Sequence, residues 1–169
     1  MKEPKDTGGG NNDWVEQFKT IVKDKFNKIV EFGCGTNSTY LMDNCHKLHS
    51  IEIIVRDNQE GWAEYVEELL KDKNHKMSVI THEDKYDKKL ETKINEVFEK
   101  DYNVAFVDSG SHCRAELVNY CFKHKIPYIL AHDTSHGFVE YGWNKIVVPE
   151  DYEVKEYSQG QGTKIWIKK

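Results

Sequence analysis

The stretch Asn103-Val104-Ala105-Phe106-Val107-Asp108 is apolar from Val104 to Val107 and turns acidic only at its last residue. A strand without polar alternation is buried on both faces, as in a parallel sheet covered by helices on both sides. The neighbouring segments meet that demand. Short apolar runs at 28–32, 48–53, 77–80 and 126–131 join it, separated by stretches with helical spacing. One helix starts near Asn58 and carries Trp62, Val66, Leu69 and Leu70; a second carries Leu90, Ile94, Val97 and Phe98; a third covers 113–123. Asp13 offers an N-cap to a further helix with Trp14, Val15, Phe18, Ile21 and Val22 on its apolar face. This alternation predicts an α/β fold, a Rossmann-like three-layer sandwich around a mostly parallel sheet. The tail differs. Residues 145–148 and 153–157 read as extended, and the glycine turn 158–162 leads into 163–167, which predicts a C-terminal antiparallel hairpin.

Residues 1–12, ending Gly8-Gly9-Gly10-Asn11-Asn12, read as a flexible leader, and 13–169 as one domain. A formal charge of −5 gives no general attraction to nucleic acid or to anionic membranes. No apolar run is long enough to span a bilayer, and the N-terminus lacks a signal-peptide core, so the chain reads as cytoplasmic. Cys34, Cys45, Cys113 and Cys121 form no C-x-x-C pair and read as reduced thiols. The pairs Cys45-His46, His112-Cys113 and Cys121-x-x-His124 lack zinc-finger spacing.

Ligands of open α/β sheets bind beyond the carboxyl ends of the strands. Residues at those positions are polar where their strands are apolar: Glu31 through Ser38, Glu52, His82-Glu83-Asp84, Asp108 through His112, and His132-Asp133-Thr134. The run Lys28–Phe32 feeds the turn Gly33-Cys34-Gly35, which opens into a helix from Ser38 to Cys45. Gly33 and Gly35 allow a tight turn and close approach to a ligand, and Asn37, where a third glycine would stand, tolerates left-handed geometry. Glu52, ending the second strand, can accept two hydrogen bonds from ribose hydroxyls. Turn and acid together predict a nucleoside-containing ligand.

This pattern resembles the class I S-adenosylmethionine-dependent methyltransferases, with an E/D-x-G-x-G turn after strand one, an acid after strand two and a reversed terminal hairpin completing a seven-stranded sheet. Phe106-Val107-Asp108-Ser109-Gly110-Ser111-His112 and Tyr128-Ile129-Leu130-Ala131-His132-Asp133-Thr134 resemble paired motifs of small-molecule O-methyltransferases of the macrocin and catechol type. Ser109-Gly110-Ser111 carries one residue more than that pattern. The resemblance implies a cofactor site of Glu31, Gly33, Gly35, Asn37, Ser38, Glu52, Glu83, Asp84 and Asp108. Glu52 would take the ribose, and Glu83 or Asp84 the adenine amino group.

Transfer to a hydroxyl needs alignment and removal of a proton. The resemblance implies two routes: a divalent cation, Mg²⁺, held by Asp108 and Asp133, or a histidine base, His112 or His132. Asp108, His112 and His132 are therefore the candidate catalytic residues. Trp143 is a candidate wall for the acceptor. The implied function is methyl transfer from S-adenosylmethionine to a small-molecule acceptor, at oxygen. A catalytically inactive cofactor-binding or interaction module of the same fold is the alternative. An NAD-dependent oxidoreductase is less favoured, because Ser38 stands where its fingerprint requires glycine or alanine. A homo-oligomer is compatible with all three.

Overall fold

The structure is a computed structural model that describes residues 18–20, 28–35, 38–39, 47–55, 61, 64–65, 68, 71, 75–82, 85–110, 112–135, 141–158 and 160–169. The expected leader, most of the helices expected at 13–22, 38–45 and 58–70, and the site candidates Asn37, Glu83 and Asp84 lie outside the described residues.

Seven strands form one sheet: β1 (Lys28–Phe32), β2 (Lys47–Val55), β3 (His75–His82), β4 (Val104–Val107), β5 (Tyr128–His132), β6 (Tyr152–Tyr157) and β7 (Thr163–Lys168). Their order is β3-β2-β1-β4-β5-β7-β6. Pairing is parallel from β3 through β5, and β7 runs antiparallel between β5 and β6. The expected mostly parallel seven-stranded α/β sheet with a terminal antiparallel hairpin is what forms. Because sheet building reverses direction after β1, the topological switch point lies between β1 and β4, where such sheets open to ligands.

The run that anchors the sequence reading is fully buried: every residue of β4 has 0% exposure. Its side chains alternate between two cores. Ala105 and Val107 join Val30, Phe32, Ile129 and Ala131 against helices α1 (Lys88–Val97) and α2 (Arg114–Lys123). Val104 and Phe106 join Ile29, Leu48, Leu130 and Ile165, with helical Phe18, on the other face. In α1 the Asp87 side chain accepts from Leu90 N, satisfying a first-turn N–H, and Leu90 and Ile94 are the residues it buries. α2 buries Ala115, Leu117, Val118, Tyr120, Cys121 and Phe122 and leaves a polar stripe of Glu116, Asn119 and Lys123 on its other side.

Three boundaries move. β2 and β3 extend past the expected 48–53 and 77–80: parallel pairing from Leu48↔His75 to Val55↔His82 draws in the polar ends of β3, His75, Lys76, Thr81 and His82, together with Ile54 and Val55 of β2. Residues 145–148 are not extended in the sheet. A short 3₁₀ turn, Trp143–Lys145, precedes an irregular segment whose backbone is held by α2: Asn119 Nδ2 donates to Lys145 O, and Val147 N donates to Asn119 Oδ1. Val147 is 76% exposed there.

Candidate active site

The turn after β1 is pressed against the end of β4. Gly33 has φ +89, and a Cβ on it would lie 2.6 Å from Asp108 O and 2.8 Å from Ser109 Cα. Gly33 N donates to Ile51 O at 3.1 Å and Asp108 N to Phe32 O at 2.9 Å, so the turn is tied to both neighbouring strands. Gly35 differs. It has no left-handed φ, and its nearest obstacle would be the Ser38 hydroxyl at 3.2 Å.

Two carboxylates organise the turn from below. Glu52 Oε2 accepts from Cys34 N at 2.6 Å. Glu52 sits one residue beyond Ile51, the partner of the last residue of β1, which places it past the end of β1 although β2 itself continues. It is 5% exposed, and burial raises its pKa. Glu31 is wholly enclosed. Its Oε1 accepts from Ser38 Oγ at 2.7 Å, and its Oε2 from Thr39 Oγ1 and Ser50 Oγ, each at 2.6 Å. The donors continue outward in one direction: Gly35 N donates to Thr39 Oγ1 at 2.8 Å, and His75 Nε2 lies 3.1 Å from Ser50 Oγ. Burial outweighs these bonds and pushes the Glu31 carboxyl up to about 8.

Across the switch point, Asp108, His132 and Asp133 converge, their ligand-type atoms within 4.8 Å of one another. The residue that joins them belongs to neither of the two motifs. Arg114, 8% exposed in the first turn of α2, places NH2 2.9 Å from Asp108 Oδ1 and donates from NH1 to Asp133 Oδ2 at 2.8 Å. It also donates from Nε to Ser109 O and from NH1 to His132 O. Its guanidinium lies 4.4 Å from the centre of the Tyr141 ring. His132 Nδ1 stands 3.7 Å from Asp108 Oδ2 and 3.3 Å from Asp133 Oδ1. Burial opposes a charge on His132, but the Asp108 and Asp133 carboxylates outweigh it and raise its pKa. His132 Nε2 is buried with no hydrogen-bond partner among the described residues.

Asp133 is held in a left-handed conformation, φ 60. Trp143 Nε1 donates to its carbonyl at 3.2 Å, while Thr134 N and Ser135 N donate to Gly162 O and Gln161 O of the β6–β7 turn. Trp143, expected as a wall for the acceptor, is therefore a buried buttress, 4% exposed. His112 does not join the Asp108 group: its ring folds over Gly110, where a Cβ would meet Cε1 at 2.7 Å.

The residues fit the two expected groups unequally. For a nucleoside cofactor, a glycine turn and a buried carboxylate meet at the switch point, as required. For Mg²⁺ they do not fit. A guanidinium already bridges the two carboxylates, and the third converging donor is an imidazole nitrogen rather than oxygen. A separate cleft of about 220 Å³ lies at the opposite ends of β1–β3, but there Lys28 and Lys76 pair with Glu99, and His49 bonds to Tyr102 and Ser78.

No protein-family model and no curated relative matches the sequence. Solved structures do match. A Klebsiella pneumoniae protein provisionally described as an O-methyltransferase superposes with a TM-score of 0.68 at 13% identity, over 98% of this chain and 83% of its own. A Bacillus cereus O-methyltransferase in complex with SAH gives 0.65 at 14% identity, over 92% and 79%. The SAH-bound Podospora anserina methyltransferase PaMTH1 gives 0.61 at 15%, over 92% and 76%. The fold is that of the class I methyltransferases. Within that methyltransferase fold, the turn at Gly33 and the Asp108–Arg114–Asp133 cluster face each other across the switch point. No helix among the described residues is long and apolar enough to cross a membrane.

Proposed function

We propose that this chain is an S-adenosylmethionine-dependent methyltransferase that acts on a hydroxyl of a small molecule. The observation that carries the reading is the meeting, at the switch point, of the left-handed Gly33 turn with the buried Glu52 carboxylate. The SAH in two solved structures of the same fold supports the choice of cofactor.

The residues divide the work. The backbone from Gly33 to Gly35, with Ser38, would hold the amino-acid part of the cofactor, and Glu52 the ribose hydroxyls. Asn37, Glu83 and Asp84 keep the roles the resemblance implies, flanking the turn and the adenine. Glu31 acts at one remove, because both its oxygens already accept from Ser38, Thr39 and Ser50. It fixes the helix start that the cofactor would meet. When bound, S-adenosylmethionine supplies an electrophilic methyl group.

The chain's own chemical task is to align the acceptor and take its proton. With Nδ1 turned to Asp108 and Asp133, His132 offers Nε2 as the receiving atom. An imidazole held at one nitrogen by carboxylates keeps the tautomer that leaves the other nitrogen free to accept.

Calorimetry with SAH, followed by methyl-transfer assays on a panel of hydroxyl-bearing small molecules, tests the reading. Saturable SAH binding with transfer to at least one hydroxyl is expected. NADH binding without SAH binding would overturn it, and SAH binding without transfer to any acceptor would reduce it to a cofactor-binding module.

A further inference from the structure

We propose that Arg114 is the resident cation of this centre, standing where a divalent metal would otherwise sit between Asp108 and Asp133, so that the site works without a metal ion. The inference deepens the proposed function, since it concerns the same end of the sheet, but its geometry is independent of which substrate is bound.

The guanidinium is a fixed part of the protein. Of its five N–H groups, four are engaged: Nε with Ser109 O, NH1 with both His132 O and Asp133 Oδ2, and NH2 with Asp108 Oδ1. A side chain with four donors engaged inside the protein is not held in reserve for a ligand. Its planar fork takes one oxygen from each carboxylate at 2.9 and 2.8 Å, the bridging role a hard divalent cation would perform. Tyr141 closes over it at 4.4 Å.

A metal that took both carboxylates from it would leave the buried guanidinium uncompensated, which is strongly destabilising. Among the described residues, the oxygens left over, Asp108 Oδ2 and Asp133 Oδ1, converge only with His132 Nδ1. That mixed nitrogen–oxygen set suits a transition ion better than Mg²⁺, and the guanidinium on the same two carboxylates would repel any ion entering there.

Position argues the same way. The first turn of a helix carries the positive end of its dipole, an unfavourable place for a cation unless carboxylates compensate. Arg114 stands there with two. The centre therefore holds its positive charge permanently, with Arg114 positioning Asp108 and Asp133, and through them His132.

The test is Mn²⁺ binding by electron paramagnetic resonance on the full chain after dialysis against EDTA, with SAH affinity measured on the same sample. No stoichiometric Mn²⁺ uptake and an SAH affinity unchanged by EDTA are expected. Stoichiometric uptake that disappears in Asp133→Asn would overturn the assignment. Arg114→Ala should gain Mn²⁺ binding, read also as a melting temperature that rises when Mn²⁺ is added. If this variant folds and takes up no Mn²⁺, the exchange of one cation for another is refuted; if it does not fold, the wild-type titration decides. Mn²⁺ uptake with SAH binding intact would sink only the role of Arg114, whereas absent SAH binding would sink the proposed function and leave the metal result standing.

Discussion

Replacing Gly33 with alanine should be far more damaging than replacing Gly35, although the two occupy the same motif. Alanine at Gly33 would have to adopt φ +89, and a left-handed conformation costs an L-residue about 1–2 kcal/mol. Its Cβ would also stand 2.6 Å from Asp108 O and 2.8 Å from Ser109 Cα, both backbone atoms that no rotamer change can withdraw. Moving the end of β4 aside is an overpacking cost of about 1–3 kcal/mol. Against this, alanine restricts the unfolded chain and returns about 0.4–1 kcal/mol. The net expectation for Gly33→Ala is a loss of about 1–5 kcal/mol, a large share of the ~5–15 kcal/mol by which domains are stable. At Gly35 the conformation is accessible and the obstacle at 3.2 Å is the Ser38 hydroxyl, which can turn. A change of under about 1 kcal/mol is expected there, set by a weakened Ser38–Glu31 bond. Urea denaturation followed by circular dichroism on both variants measures the difference. Equal destabilisation of the two, or a Gly33→Ala midpoint matching wild type, would refute the account of the turn.

Glu31 makes stability depend on pH. Its carboxyl titrates at about 8 in the folded chain against 4.5 when unperturbed, so its contribution is complete below 4.5 and is lost as pH rises through about 8. The unfolding free energy from urea titrations should fall from about pH 5.5 to about pH 8 in wild type, by an amount on the order of a few kcal/mol, and Glu31→Gln should flatten the slope; parallel slopes would contradict it. Glu52→Ala should weaken SAH binding by about 1–3 kcal/mol in calorimetry while the protein stays folded, and an unchanged affinity would remove Glu52 from the site. His132→Ala should slow methyl transfer by about 10²–10⁴-fold with SAH affinity preserved. Full activity in that variant would rule out His132 as the proton acceptor.

The strands were legible because each advertises itself locally. Val104–Val107 has no polar side chain to turn outward, and 163–167 lies beyond a glycine turn. Residues 145–148 were misread because their apolar character is real, but Asn119 on α2 takes up the backbone groups a strand would have used. Gly33 and Gly35 could be picked out as residues of the turn, yet the two looked alike; only the approach of Asp108 separates them. Arg114 left a faint signal. It is one of two arginines in a chain with 24 Lys and Arg residues, and it stands at a helix start, where a cation is disfavoured.

Apolar periodicity and turn chemistry depend on residues a few positions apart, so the chain alone determined the α/β alternation, the terminal hairpin and the end of the sheet where polar residues gather. Which of those polar residues bond to one another depends on strand order, which brings Gly33 beside Asp108 and Arg114 between Asp108 and Asp133. Tertiary structure thus decided that Glu31 is enclosed by hydroxyls, that His112 turns away over Gly110, and that the charge between the acids belongs to an arginine. Each outcome rests on contacts of a few ångströms between distant parts of the chain, and neither composition nor spacing encodes such distances.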